Sequence, residues 1–288
     1  MALGKRSVWA GLDGYTAKEA AAFARRLEDW GYDTLWIPEG LGREPLSLAA
    51  WLLANTERLT IATGITNIYG RDARTAKVAQ MALNEQSGGR FLLGLGVSHQ
   101  PLVEGFRGHT YGKPIAAMTG YLDAMAQVQY MAPAPAETPK TVIAALGPKM
   151  LEIARDRADG AHPYLVNPEH TAEARRILGP GKLLLPEQKV VLETDPSKAR
   201  EIGRKGIAIY LGLPNYRNNL LRLGFTEADM DKGGSDRLVD AVVAWGDAAA
   251  IGERIEAHLE AGADQVCIQA LSTDGRADEA ALKALVTG

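Results

Sequence analysis

The 288-residue sequence holds one cysteine, Cys267. A single thiol forms no intrachain disulfide and no cysteine-based metal cluster. Aromatic residues make up only 6% of the chain, and no apolar stretch is long enough to cross a bilayer. Neither sign of charge dominates, since 32 lysines and arginines stand against 35 acidic residues, a formal charge of −3. That balance offers no electrostatic attraction to nucleic acid or to an anionic membrane. Residues 1–14 lack the apolar core of a signal peptide, so the cytoplasm is the expected compartment. The histidines have no metal-ligand spacing, and HExxH, EF-hand, GxSxG and Walker patterns are missing. Gly94-x-Gly96 lacks the third glycine of a dinucleotide fingerprint and does not at once open a helix, which excludes a Rossmann site. A 46% apolar and 23% charged composition is that of an ordinary soluble globular protein.

What the chain does have is alternation. Apolar runs at 7–12, 33–38, 59–65, 91–97, 142–146, after Gly160, at 183–192 and at 265–271 read as eight strands. Thr16-x-x-Glu19 is a capping box, and Gly31 supplies the stop for the helix it opens. Pro45, Pro114, Pro148, Pro168 and Pro196 all stand where helices should begin, the position at which a missing N–H costs nothing. Residues 27–37 and 260–268 echo one another as helix, glycine, one residue, aspartate, strand. Eight such units in this length predict an α/β fold, a (β/α)8 TIM barrel of parallel strands, with an open doubly wound sheet as the rival. The chain reads as a single domain, 1–288, with a helical insertion expected late in the barrel at 212–246.

In a barrel of this kind the active site lies at the C-terminal ends of the strands. That rule selects Asp13, Glu39, Gly64–Asn67, Ser98 and His99, Leu146–Lys149, His162 with Tyr164, and Gln269. The turn at Gly147-Pro148 joins a strand to a helix start, where backbone amides and the helix dipole can meet an anion. It can equally be a plain connecting turn. His99 is the best single candidate for proton transfer, because an unperturbed imidazole titrates near pH 6.5. His162 and Tyr164, two apart on a strand, should face the same side. His109 falls in a loop, His170 in a first helical turn, and His258 on the solvated face of a helix. Cys267 reads as packed core.

Three blocks, LTIATGITNIYGR (59–71), RFLLGLGVSH (90–99) and IAALGPKMLEIARDRADG (143–160), resemble in their order the luciferase-like monooxygenase superfamily. Within it, the chain is most similar to actinobacterial oxidoreductases that use the deazaflavin coenzyme F420. The resemblance spans nearly the whole chain and implies hydride exchange between the deazaflavin and a small organic substrate. It places the cofactor phosphate on Gly147-Pro148-Lys149 and a non-prolyl cis peptide at Gly64–Ile65. The cofactor-binding set it implies is Glu39, Gly64, Ile65, Thr66, Ser98, Ala145, Leu146, Gly147, Pro148, Lys149, Met150 and His162. The catalytic candidates are His99, Glu39 and Asp13. The chain departs from the sugar-phosphate dehydrogenases of the superfamily at Gly40 and His99, where those relatives carry a catalytic histidine and a catalytic glutamate. Trp9, Tyr69, Tyr111 and Tyr216 are candidate substrate walls. The competing readings are an FMN-dependent monooxygenase using O2 and a deazaflavin-binding barrel without turnover. A phosphosugar aldolase or isomerase lacks a convincing Schiff-base lysine. By analogy with the superfamily a homodimer is expected, with a small-molecule substrate, no metal, no nucleic acid and no membrane.

Overall fold

Proline and capping residues set the element boundaries in the structure, a computed structural model that describes residues 3–286. The first half runs β1 (Arg6–Trp9), α1 (Ala17–Trp30), β2 (Thr34–Ile37), α2 (Pro45–Ala54), β3 (Thr60–Thr63), β4 (Thr66–Asn67), α3 (Ala73–Ser87) and β5 (Phe91–Gly96). A π-helical turn, Pro101–Phe106, precedes α4 (Pro114–Ala126), β6 (Thr141–Ile143), α5 (Pro148–Arg157), β7 (Gly160–Ala161) and α6 (Pro168–Leu178). Then come β8 (Leu183–Leu184), β9 (Glu187–Leu192), α7 (Pro196–Leu211), α8 (Pro214–Arg222), a 3₁₀ stretch Glu227–Gly233 and α9 (Asp236–Val242). The chain ends with β10 (Val243–Gly246), α10 (Ala248–Glu260), β11 (Val266–Ala270) and α11 (Glu279–Leu285). Thr16 makes its capping box with Glu19, and Gly31 at φ 106° ends α1. The five prolines expected at helix starts each occupy one.

Strand pairing is parallel throughout, in the order β10-β9-β11-β1-β2-β3-β5-β6-β7-β8, with β4 beside β5. β8, last in that order, and β9, second in it, are separated in the chain only by Leu185 and Pro186. Leu185 donates its N–H to Ala161 on one side (3.0 Å), while Pro186 accepts from Cys267 on the other (2.8 Å). The sheet is curled, and the chain passes from one side of its order to the other within these two residues.

Several details depart from the sequence reading. The run at 183–192 is broken because Pro186 has no N–H for the ladder. β4 and β10 are additional strands, so the count exceeds eight. Residues 212–246 are not wholly helical, since β10 pairs with β9. α4 runs from Pro114 to Ala126, and α11 was not anticipated.

Period-2 alternation sends strand side chains to two cores. Val8, Leu35, Ile37, Ile61, Phe91, Leu93, Ile143 and Ile268 pack under the helices. Trp9, Trp36, Ala62, Leu92, Val142 and Cys267 form the other cluster, with residues of α7, α8 and α9. Among the described residues no helix is long and apolar enough to cross a membrane.

One buried acid ties the first repeat to the second. Glu28, 8% exposed, accepts the amides of Glu57, Arg58 and Leu59 at the start of β3. Burial pushes its pKa up, but the three amides outweigh it and hold the carboxyl below its ordinary value of 4.5. A group whose folded pKa is depressed stabilises the fold above its unfolded pKa and loses that contribution as pH falls through the folded value. Glu28→Ala should therefore cost about 2 kcal/mol at pH 7, in line with orphaned buried donors. The gap to wild type in urea unfolding should shrink steadily below pH 4.5. A gap independent of pH would show that the carboxylate charge contributes nothing.

Candidate active site

The C-terminal ends of β5, β6 and β7, closed on one side by α8, surround a cavity of about 560 Å³. Ile65, Val97, Ser98, His99, Tyr111, the stretch 144–150, His162, Tyr164 and, from α8, Asn215, Tyr216, Asn218 and Arg222 line it. Glycines make room for this arrangement. A Cβ on Gly96 would lie 2.4 Å from the Ile65 side chain, and one on Gly64 would lie 2.6 Å from the Trp9 ring nitrogen. The Gly64–Ile65 peptide is cis, and Gly64 accepts from Trp9 Nε1 at 3.1 Å.

The cationic side chains of the lining gather at one end of the cavity. Gly147 caps α5 without a side-chain hydrogen bond of its own. Arg222 reaches across from α8, so that its Nη1 would lie 3.0 Å from a Cβ on Gly147. Its other nitrogen donates to Leu146 O at 3.0 Å and to Asn219 Oδ1 at 2.5 Å. His170 Nε2 also donates to Leu146 O, at 2.8 Å, which fixes the turn from behind. Asn219 supports Arg222 from outside the cavity lining, and only its Nδ2 is buried without a partner in the described structure. Lys149 completes the cationic rim. Met150 does not contribute its amide, because that N–H already bonds Gly147 O at 3.0 Å in the first helical turn.

The rest of the lining carries no formal charge. His99 is driven below its ordinary pKa by burial, with a hydrogen bond to Asn215 acting the other way, so the ring is neutral at pH 7. His162 is pushed down to about 4 by burial, opposed by its contact with Leu185 O. Its Nδ1 donates to that carbonyl at 2.6 Å, and the ring stacks on Trp36 with centroids 4.3 Å apart. Nε2 is then the bare nitrogen, buried and without a partner in the described structure. Tyr164 stacks near Trp9 (5.2 Å) and joins its hydroxyl to Tyr210 at 2.9 Å.

Of the residues expected at the site, Ile65, Ser98, His99, 145–150 and His162 line the cavity together. Gly64 and Thr66 lie just behind it, fully buried. Glu39 and Asp13 do not line it. The Glu39 carboxylate is 4% exposed and bonds Asn67 N (2.7 Å), Arg71 (2.9 Å) and Arg107. Asp13 accepts the amides of Gly42 (3.1 Å) and Arg43 (3.0 Å), organising the loop after β2. Tyr111 and Tyr216 are walls as expected, whereas Tyr69 supports the rim by accepting from Gly112 N. Trp9 belongs to a neighbouring groove at the ends of β1 and β11. His258 is not solvated: it is fully buried, with Nδ1 on Thr171 (2.7 Å) and Nε2 on Gln188 (3.0 Å), because its face of α10 packs on the sheet. Cys267 is buried core.

Arg222, Asn215 and Asn219 were missed by the sequence reading. Nothing in their local pattern marks a helix from residue 214 as the partner of a turn at residue 147. Glu187 and Lys189 were also missed; both are fully buried, and burial pushes Glu187 up and Lys189 down while their mutual charge opposes each shift. The described residues contain no cluster of three or more potential metal ligands.

A curled parallel α/β sheet with a largely apolar cavity at the strand C-termini places this molecule among the barrel-type α/β proteins. The model of the luciferase-like monooxygenase family matches residues 1–179, and the chain belongs to that family. A putative coenzyme F420-dependent oxidoreductase of Mycobacterium tuberculosis is 34% identical over 108 residues, covering 38% of this chain and 31% of that protein. A 5,10-methylenetetrahydromethanopterin reductase of Methanolobus tindarius is 32% identical over 168 residues, covering 52% of this chain and 50% of the reductase. The matched segments thus span about a third to a half of these relatives. The solved F420-dependent tetrahydromethanopterin reductase of Methanopyrus kandleri has the same fold, with a TM-score of 0.75 at 19% identity over 99% of this chain and 98% of its own. So does an FMN-bound Baeyer–Villiger monooxygenase, with a TM-score of 0.71 at 13% identity, over 98% and 96% of the two chains.

Proposed function

We propose that this protein is a coenzyme F420-dependent oxidoreductase acting on a small, uncharged organic substrate. The observation that carries the reading is the polarity of the cavity: an anion cradle at Gly147, Lys149 and Arg222 at one end of an otherwise uncharged, largely apolar wall. A phosphate-bearing cofactor fits that cradle, since a helix start and a guanidinium are both donors. The relative described as a putative F420-dependent oxidoreductase favours the deazaflavin over FMN. When bound, a deazaflavin donates or accepts a hydride.

The chain's own residues supply binding, orientation and proton handling. Lys149, Arg222 and the amide end of α5 hold the phosphate, and Ile65, Leu146 and Met150 give the apolar walls. His99, neutral and facing the cavity, holds or releases the substrate proton. Glu39 and Asp13 take structural roles in the loops after β2 and β3. A charged substrate would leave water for a wall with no countercharge, which is costly; hence the uncharged class.

Titration of the purified protein with F420 and with FMN, followed by fluorescence, tests the cofactor. F420 should bind and FMN should bind at least tenfold more weakly; binding of FMN alone would overturn the assignment. Consumption of O2 with reduced FMN would favour the monooxygenase reading that the shared fold also permits. Turnover that needs His99 as a base should fall as pH drops through its depressed pKa, below 6.5, and His99→Asn should abolish that acidic limb. A limb unchanged in the variant would assign the proton elsewhere.

A further inference from the structure

We propose that the buried pair Glu187–Lys189 is a positioning device for Tyr164, a wall residue of the cavity. The inference rests on reading that cavity as the cofactor site. Both residues point to the same side of β9 and are fully buried, with Lys189 Nζ 3.1 Å from Glu187 Oε1. A buried ion pair is an expensive way to fill space, because well-packed apolar residues of the same volume are as stable or more so. Here each end of the pair acts on Tyr164. Lys189 Nζ sits 3.8 Å from the centre of the Tyr164 ring and donates to Gln269 Oε1 at 3.2 Å. Glu187 Oε2 accepts the amide of Leu165 at 3.0 Å. Leu165 follows Tyr164 directly and has φ +56°, a left-handed backbone that a leucine adopts only where its surroundings enforce it.

The pair also sets the direction of the hydrogen bonds around Tyr164. A lysine has donors and no acceptor, so it selects the oxygen of Gln269. Tyr164 then donates its only hydroxyl proton to that oxygen, at 2.8 Å. Tyr210 must in turn donate to Tyr164 (2.9 Å). Ring, backbone and hydroxyl of Tyr164 are each held by a group that traces back to Glu187 or Lys189. The wall is thereby rigid before anything binds, which lowers the cost of ordering a ligand against it.

The double variant Glu187→Gln/Lys189→Met removes both charges and keeps an acceptor for Leu165. Its urea midpoint should equal or exceed that of wild type. Bound F420 should then rotate more freely, so fluorescence anisotropy at saturation should fall by about a third or more. The dissociation constant should rise no more than about tenfold, because the phosphate end is untouched. Tyr210→Phe, which leaves the ion pair in place, should shift anisotropy in the same direction by less. Folded variants with wild-type anisotropy would overturn the proposal. If the double variant does not fold, Gln269→Leu takes its place beside Tyr210→Phe, and unchanged anisotropy in both would overturn it equally. Wild-type protein that fails to bind F420 would instead overturn the cofactor reading on which the inference stands.

Discussion

Arg222→Met is expected to weaken coenzyme F420 binding by about ten- to a hundredfold, the range that follows from about 1.5–3 kcal/mol for a hydrogen bond to a charged group. Arg222 faces Gly147 from α8 with one nitrogen committed to Leu146 O and Asn219 and the other directed at the turn. An arriving phosphate would meet a guanidinium already fixed in place, with no side-chain entropy left to lose. The loss should be larger than for Lys149→Met, whose ammonium sits on a flexible stem at the rim. It should also shrink in high salt, because a screened phosphate gains less from the charge. Stability should fall by about 1–2 kcal/mol, because Leu146 O keeps its hydrogen bond from His170 but the buried Asn219 Oδ1 loses its donor. Fluorescence titration of the variant at low and high ionic strength, beside a urea unfolding curve, checks both halves. Unaltered affinity would mean that the cofactor phosphate lies elsewhere.

Gly94→Ala should cost about 3 kcal/mol or more, the upper range for overpacking a core. The added Cβ would fall 1.9 Å from Thr63 O, a contact with backbone that no rotamer change relieves. Thr63 is itself locked to Gly94, donating its hydroxyl to Gly94 O and accepting from Gly94 N, each at 2.8 Å. Either β3 and β5 separate and break that reciprocal pair, or the alanine stays strained. Gly120→Ala is the natural control. Gly120 lies within α4, and a Cβ there would meet nothing within 4 Å. It should gain about 0.5–1 kcal/mol from the lower entropy of the unfolded chain. Urea midpoints that move in opposite directions for these two glycines would confirm the distinction; parallel shifts would refute it.

These contrasts show which parts of the molecule can be read from sequence. Helix starts were legible because Pro45, Pro114, Pro148, Pro168 and Pro196 act through their own covalent structure, whatever surrounds them. The turn at Gly147 was legible for the same reason, as a local strand-to-helix junction. The break between β8 and β9 had a local mark too, in Pro186, but the apolar run around it hid the interruption. Arg222 had none: its role comes from packing α8 across a turn 75 positions earlier. Lys189 and Glu187 carry no local mark of their role within the run 183–192, and the curl of the sheet puts them inside. Glu39 shows the opposite case. It stands at the predicted strand end, yet Arg71 and Arg107 draw its carboxylate away from the cavity.

The close fit between Gly96 and Ile65 has an evolutionary consequence. The isoleucine side chain occupies the volume that any side chain at 96 would need, 2.4 Å from its Cβ. The two positions are therefore one choice rather than two. An alanine at 96 becomes admissible only after residue 65 has been trimmed, and trimming residue 65 first leaves a void beside the cavity. Either single step passes through a less stable chain, so a lineage should keep both residues or exchange them together.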